Sequence, residues 1–336
     1  MAGAKLTSIL RSRYSFRGDV IEPASLPTLY ICAGFGGVVA TGVACGLLRY
    51  RAEEMNAIAA SILTLWALGL YLQFLGVSRL GEAVKGAACY LLLSVCAIFA
   101  SAVLAVISRN YFDGSFAAAD KALFGFNWNT DAPAMTSNPL IGHMLSYAYV
   151  SLNWQPVLMV GYLFLVGQSQ RFWQALTATA IALAICISVF PFSPAVGGYV
   201  HFEIPRTSVP DVWVASAWHY PEVLRSLKDG SLDTLGYKAL EGIVAMPSFH
   251  AAASIILAWT FWTTLLRWPL VALNAVMLVS SVPIGGHYIV DVVAGTAVAV
   301  LALWLASRIA AGSHAFSSAD ELLQRRGFGT AAEKVG

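Results

Sequence analysis

The stretch Trp268–Ser307, WPLVALNAVMLVSSVPIGGHYIVDVVAGTAVAVLALWLAS, runs for forty residues without a lysine, arginine or glutamate and holds one carboxylate, Asp291. Pro283, Gly285 and Gly286 break its helical pattern, so it reads as two membrane-spanning helices joined by a tight turn. His287 falls at the start of the second helix. Asp291, four residues on, lies one turn further along the same face. An aspartate within a spanning helix costs roughly 2.5–3.5 kcal/mol on insertion scales, so it should face the bundle interior or a watery cavity with a partner.

The whole chain shares this character. Apolar residues make up 58% of its 336 residues and charged residues 11%, against roughly 25% charged in soluble domains, and the mean hydropathy is +0.69. Uncharged runs occupy 23–48, 55–78, 86–108, 132–170, 172–202, 242–266, 268–290 and 292–307. The expected fold is therefore all-α, a polytopic membrane bundle of about eight transmembrane helices near 27–48, 57–78, 86–107, 143–167, 172–192, 247–266, 269–283 and 286–308. Eight crossings put both termini on one face, which collects twelve of the twenty basic residues. Both termini are accordingly expected in the cytoplasm, in a plasma (inner) membrane, with loops 108–142 and 193–246 outside.

Several classes are excluded. A net charge of +2 with scattered basic residues offers no face for nucleic acid. Cys32, Cys45, Cys89, Cys96 and Cys186 all fall in apolar runs, which leaves no loop disulfide framework or zinc cluster. The first twenty residues lack an apolar core, so no cleaved signal peptide is expected. Both long loops are rich in aromatic residues and proline. The first suits a segment lying at the headgroup level, and the second is too long and too aromatic for a linker. After Arg308 a short helix around Ser318–Arg326 and a frayed tail are expected.

Met246-Pro247-Ser248-Phe249-His250 opens the sixth expected span. Proline suits the first helical position, and a helix N-terminus with a serine hydroxyl makes an anion site suited to phosphate. One inward and one outward span separate His250 from His287, so both histidines should meet at one surface. Each motif alone also reads as ordinary structure, a capped helix start and a satisfied buried pair.

Together, Met246–His250 followed by Gly286-His287-Tyr288-Ile289-Val290-Asp291-Val292 resembles the second and third signature motifs of the type 2 phosphatidic acid phosphatase superfamily. The spelling looks most like the branch containing inositol phosphorylceramide and sphingomyelin synthases. The resemblance implies a six-helix lipid-phosphatase-like core over 86–308, accessory helices in 1–85 and a cytoplasmic tail at 309–336. It implies that His287 is the nucleophile forming a phosphohistidine, that Asp291 orients it, and that His250 serves as acid and then base. Ser248 and the amide of Phe249 would hold phosphoryl oxygens. Metal and cofactor are expected to be absent. The substrate implied is a lipid phosphate or phospholipid entering from the bilayer at the outer face, consumed by hydrolysis or by transfer.

The chain departs from the superfamily pattern in places. Ser281 stands where an arginine is usual, Phe249 where many members have glycine, and the basic first motif is replaced by Phe190-Pro191-Phe192-Ser193-Pro194. Cationic charge for the phosphate is therefore sought in the second outer loop, at Arg206 first, then Arg225, Lys228 or Lys238, with a solvated loop residue as the competing reading of each. His201 and His219 read as interfacial, and His143 and His314 stand outside any motif. Two rival classes stay open. One is a non-enzymatic transporter or channel using the His/Asp pair as a proton or ion relay, which needs ionisable groups at several depths. The other is a bis-histidine haem protein, which would show a Soret band.

Overall fold

The computed structural model describes residues 23–236 and 242–325, with side chains as far as Ala311. It holds thirteen helices among the described residues: α1 Leu26–Ala44, α2 Ala52–Phe74, α3 Ser78–Val106, α4 Asp113–Phe124, α5 Trp128–Ala134, α6 Pro139–Val150, α7 Gln155–Leu165, α8 Ser169–Val189, α9 Gly198–His201, α10 Ser216–Asp229, α11 Phe249–Phe261, α12 Arg267–Ser280 and α13 Ile289–Arg325. Two short strands, β1 Arg49–Tyr50 and β2 Thr234–Leu235, pair in parallel. The all-α bundle expected from the hydropathy pattern is what forms.

Five helices are long and apolar enough to cross a membrane, over Pro23–Ala44, Ala52–Phe74, Ser78–Val106, Ser169–Phe192 and Ile289–Ala311. The other three expected spans hold shorter pieces, each for a local reason. The span expected at 143–167 is two helices, α6 and α7, broken by a 3-10 turn at Ser151–Asn153. Pro156, in the first turn of α7, has no N–H to donate and its ring crowds the carbonyl four residues back. The spans expected at 247–266 and 269–283 are α11 and α12, of 13 and 14 residues, about 20 Å each at 1.5 Å per residue. The residues between α12 and α13 form the turn that carries His287. In the last span the expected break before a separate helix at Ser318–Arg326 is absent, and α13 continues to Arg325. No proline interrupts it, and its two internal glycines, Gly295 and Gly312, cost only about 1 kcal/mol each. Arg326 and the expected tail lie outside the described residues.

The core is centred on α3 and α8, whose small residues let neighbours approach closely; Ala88, Cys89, Ala97, Ala100, Ala175 and Ala178 are all buried. The α2–α3 crossing is tightest at Gly69 and Gly81. A Cβ on Gly69 would stand 2.8 Å from the Gly81 carbonyl oxygen, and one on Gly81 would stand 2.6 Å from that of Gly69, the close backbone approach that small residues permit between membrane helices. A second cluster of buried aromatic residues, Trp128, Tyr199, Tyr220 and Tyr288, packs between the two long loops at one end of the bundle. The site lies beside it.

Candidate active site

His287 sits at the end of the turn between α12 and α13. Its N–H donates to the Ser281 carbonyl at 3.2 Å, and the carbonyl of the preceding Gly286 accepts from Gly198 at 3.0 Å. Ser281, where the superfamily arginine is usual, is itself buried and contributes this carbonyl. The imidazole is 6% exposed. Its Nδ1 stands 3.0 Å from the Ala245 carbonyl oxygen and 3.7 Å from Asp291 Oδ2. A carbonyl can only accept, so hydrogen-bond logic assigns the proton to Nδ1 and leaves the Nε2 lone pair free. Asp291 is fully buried. Its Oδ2 accepts the Tyr288 N–H at 3.0 Å, and its Oδ1 has no partner among the described residues.

The second motif differs from expectation at its first helical residue. Ser248, in an extended conformation, is the N-cap and α11 starts at Phe249, so Pro247 lies outside the helix. Serine is favoured at that cap because its oxygen satisfies an otherwise orphaned amide; here Ser248 Oγ accepts the Ala251 N–H at 3.3 Å. The hydroxyl expected to hold phosphate is thus fully buried and turned toward its own helix. The Ser248 N–H donates to the Asp291 carbonyl at 3.0 Å, which ties the second motif to the third. Gly295 makes this approach possible, since a Cβ there would collide with the Ser248 carbonyl.

His250 stacks on Tyr149 with ring centroids 4.1 Å apart and planes 8° from parallel. Its centroid is 6.3 Å from that of His287. Both imidazoles and Phe249 line a cavity of about 550 Å³, within the ordinary range for small-molecule sites. Tyr90, Ser94 and Ser101 of α3 line it too, eleven residues or about 16 Å along that helix. Val214, Ser216 and Tyr220 of segment 193–246 close another wall.

The basic candidates lie elsewhere. Arg206 is exposed, its Nη2 donates to the Trp213 carbonyl at 3.0 Å, and it is not among the cavity residues. Lys228 Nζ is bound to Ser108 Oγ and to the carbonyls of Ser108 and Arg109, where it caps the end of α3. Arg225 is exposed, and Lys238 lies outside the described residues. The fold thus brings His250, His287 and Asp291 together, and leaves Arg206 and the Ser248 hydroxyl out of the cavity lining.

Four contributors were not singled out from the sequence. Tyr149 and the Ala245 carbonyl are recognisable only once the chain is folded. Tyr220 is buried with its hydroxyl unpartnered among the described residues. Burial, then the negative charges of Asp113 and Asp291, push its phenol well above the usual value, so it stays a neutral O–H. The fourth is a pair of buried aspartates on α4. Asp113 accepts from the N–H groups of Val196 and Gly197 and from the Tyr288 hydroxyl. Asp120 accepts from Ile289, Val290 and the Trp128 indole. Burial holds the Asp120 carboxyl above the usual carboxylate range, and those three donors offset only part of the rise. The available signal was the spacing of seven, which puts both acids on one helical face with Phe116 and Ala117 between them.

The family model described as the PAP2 superfamily matches residues 115–305, more than half of the chain. The chain belongs to the PAP2 superfamily. Membership supports a phosphatase-type function on a phosphate substrate, which the paired imidazoles suit. The superfamily match begins after α3, although α3 supplies part of the cavity wall. No curated protein and no solved structure matches the chain.

Proposed function

We propose that the chain is a metal-independent membrane phosphatase or phosphotransferase acting on a lipid phosphate or phospholipid headgroup through a phosphohistidine on His287. The carrying observation is the pair of imidazoles 6.3 Å apart at one cavity, one of them with Nδ1 occupied by a carbonyl. His287 Nε2 attacks phosphorus while the bond to the leaving oxygen breaks, and His250 gives that oxygen a proton. Water or a hydroxyl then attacks, the P–N bond breaks, and His250 takes the proton. The N–H groups of Phe249 and His250, first in α11, have no partner among the described residues and suit the phosphoryl oxygens. Ser248 supports that anion site as its cap, and Arg206 has no part in this reading.

The lipid enters from the bilayer, and segment 193–246 walls the cavity above it. Residues 86–308 form the catalytic core, 1–85 add accessory helices and 309–336 a cytoplasmic tail. Basic residues in the short loops support a reading with both termini in the cytoplasm and the site at the outer face of a plasma (inner) membrane. The motif spelling favours the synthase branch, in which a lipid or polyol hydroxyl replaces water.

The test is to incubate purified protein with lipid phosphates and phospholipids, with and without alcohol acceptors, and identify the products by mass. Turnover should survive EDTA, be inhibited competitively by orthovanadate, and fall by about 10⁴–10⁶ in His287→Ala, the range seen when one of several cooperating residues is lost. A tenth of wild-type activity in that variant removes His287 as nucleophile.

A further inference from the structure

We propose that Asp113 and Asp120 are positioning residues that hold His287 in its attacking geometry; this rests on the phosphohistidine reading above. The two carboxylates project from one face of α4 and grip the backbone on both sides of the nucleophile. Downstream, Asp120 Oδ2 and Oδ1 accept the Ile289 and Val290 N–H groups at 2.9 and 3.0 Å, the first two amides of α13. Upstream, Asp113 Oδ1 and Oδ2 accept the Gly197 and Val196 N–H groups at 2.8 and 3.0 Å. Gly198, next in line, donates to Gly286, the residue before His287. The Tyr288 hydroxyl, from the residue after it, closes the frame by donating to Asp113 Oδ1 at 3.0 Å.

Each carboxylate uses both oxygens on backbone donors, and this is why an acid is needed. An asparagine presents one acceptor and would leave a buried amide orphaned. His287 is thus fixed from the residues before and after it, while its own ring is set by Ala245. A displacement of about 1 Å in a reacting group can cost on the order of 10²-fold in rate. Both acids are buried and neither is among the residues lining the cavity, so neither need touch substrate.

The experiment compares the full-length wild type with Asp113→Asn, Asp120→Asn, Asp120→Glu, Tyr288→Phe and His287→Ala in lipid–detergent micelles. It measures kcat and KM on p-nitrophenyl phosphate, inhibition by orthovanadate, and thermal unfolding. Positioning predicts that Asp120→Asn lowers kcat by about 10²-fold with KM within threefold, and that vanadate weakens in proportion. Asp120→Glu, which restores two acceptors, should recover part of the loss. Tyr288→Phe leaves every backbone bond in place and should still cost about tenfold in kcat, which keeps the proposal testable if the aspartate variants do not fold. Wild-type kcat in Tyr288→Phe and in the folded aspartate variants, with only the melting temperature lowered, overturns it. Should His287→Ala stay active, the phosphohistidine reading fails and takes this inference with it. Should His287→Ala be dead while the other variants turn over normally, this inference alone fails.

Discussion

Asp291 and the Ala245 carbonyl divide a task often given to one carboxylate. The carbonyl is the nearer partner of His287 Nδ1, at 3.0 Å against 3.7 Å, so the tautomer survives without the acid. Asp291 instead spends Oδ2 on the Tyr288 N–H at the mouth of α13. Asp291→Asn should therefore reduce kcat by about 10²-fold, less than the roughly 10⁴-fold typical when the lost carboxylate alone sets the tautomer; steady-state kinetics on the substrate found by product mass would check this. A loss equal to that of His287→Ala would mean that the acid's charge is indispensable. The motif residues were legible because each carries its chemistry within five or six positions of sequence. The α4 aspartates were not, because apart from Trp128 their partners are 83 to 175 residues away and no periodicity reports a contact that distant. Ser248 was legible as a helix start, and its hydroxyl faces its own helix as the cap, since a cap and an anion site ask for the same residue.

Among elements, the broken span α6–α7 is joined to α12 by a reciprocal amide pair. Asn274 Nδ2 donates to Gln155 Oε1 at 2.8 Å, and Gln155 Nε2 returns a bond to Asn274 Oδ1 at 3.2 Å and another to Ser151 Oγ at 2.8 Å. Both side chains are fully or almost fully buried. Interhelical hydrogen bonds of this kind contribute about 0.6 kcal/mol on average and up to about 1.7. Asn274→Leu should lower the midpoint of thermal unfolding in detergent, because it leaves Gln155 short of partners. The double variant Gln155→Leu/Asn274→Leu should recover most of that loss, and a simple sum of the two single losses would show that the pair is not coupled. The hydropathy pattern marks this region as one span because both amides lie in uncharged runs. Length of run reports apolarity, and only the local backbone chemistry at Ser151 and Pro156 decides where a helix stops.

Over the whole molecule, packing assigns one end of the bundle to the site. Gly42 near the end of α1 packs on Val103 near the end of α3, and Ser101 of the same α3 turn lines the cavity. Cys45, just past α1, is therefore at the site end, and it is the exposed one of the five cysteines. With the site outside, a membrane-impermeant maleimide added to intact cells should label Cys45, and Cys45→Ser should abolish the signal. Labelling only after permeabilisation would reverse the orientation. The sequence supported a side for each loop through its basic residues but not which loops touch, because those contacts are made between backbones. The β1–β2 pairing is the example. Arg49 and Arg51 donate their N–H groups to Asp233 and Leu235, and Leu48 is buried against Val223, Leu224 and Leu227 of α10. The two N-terminal helices are thereby buckled onto the same segment that contributes Tyr220. A shortened chain that starts where the superfamily resemblance starts would keep every motif and yet lose the strap that seats that cavity wall.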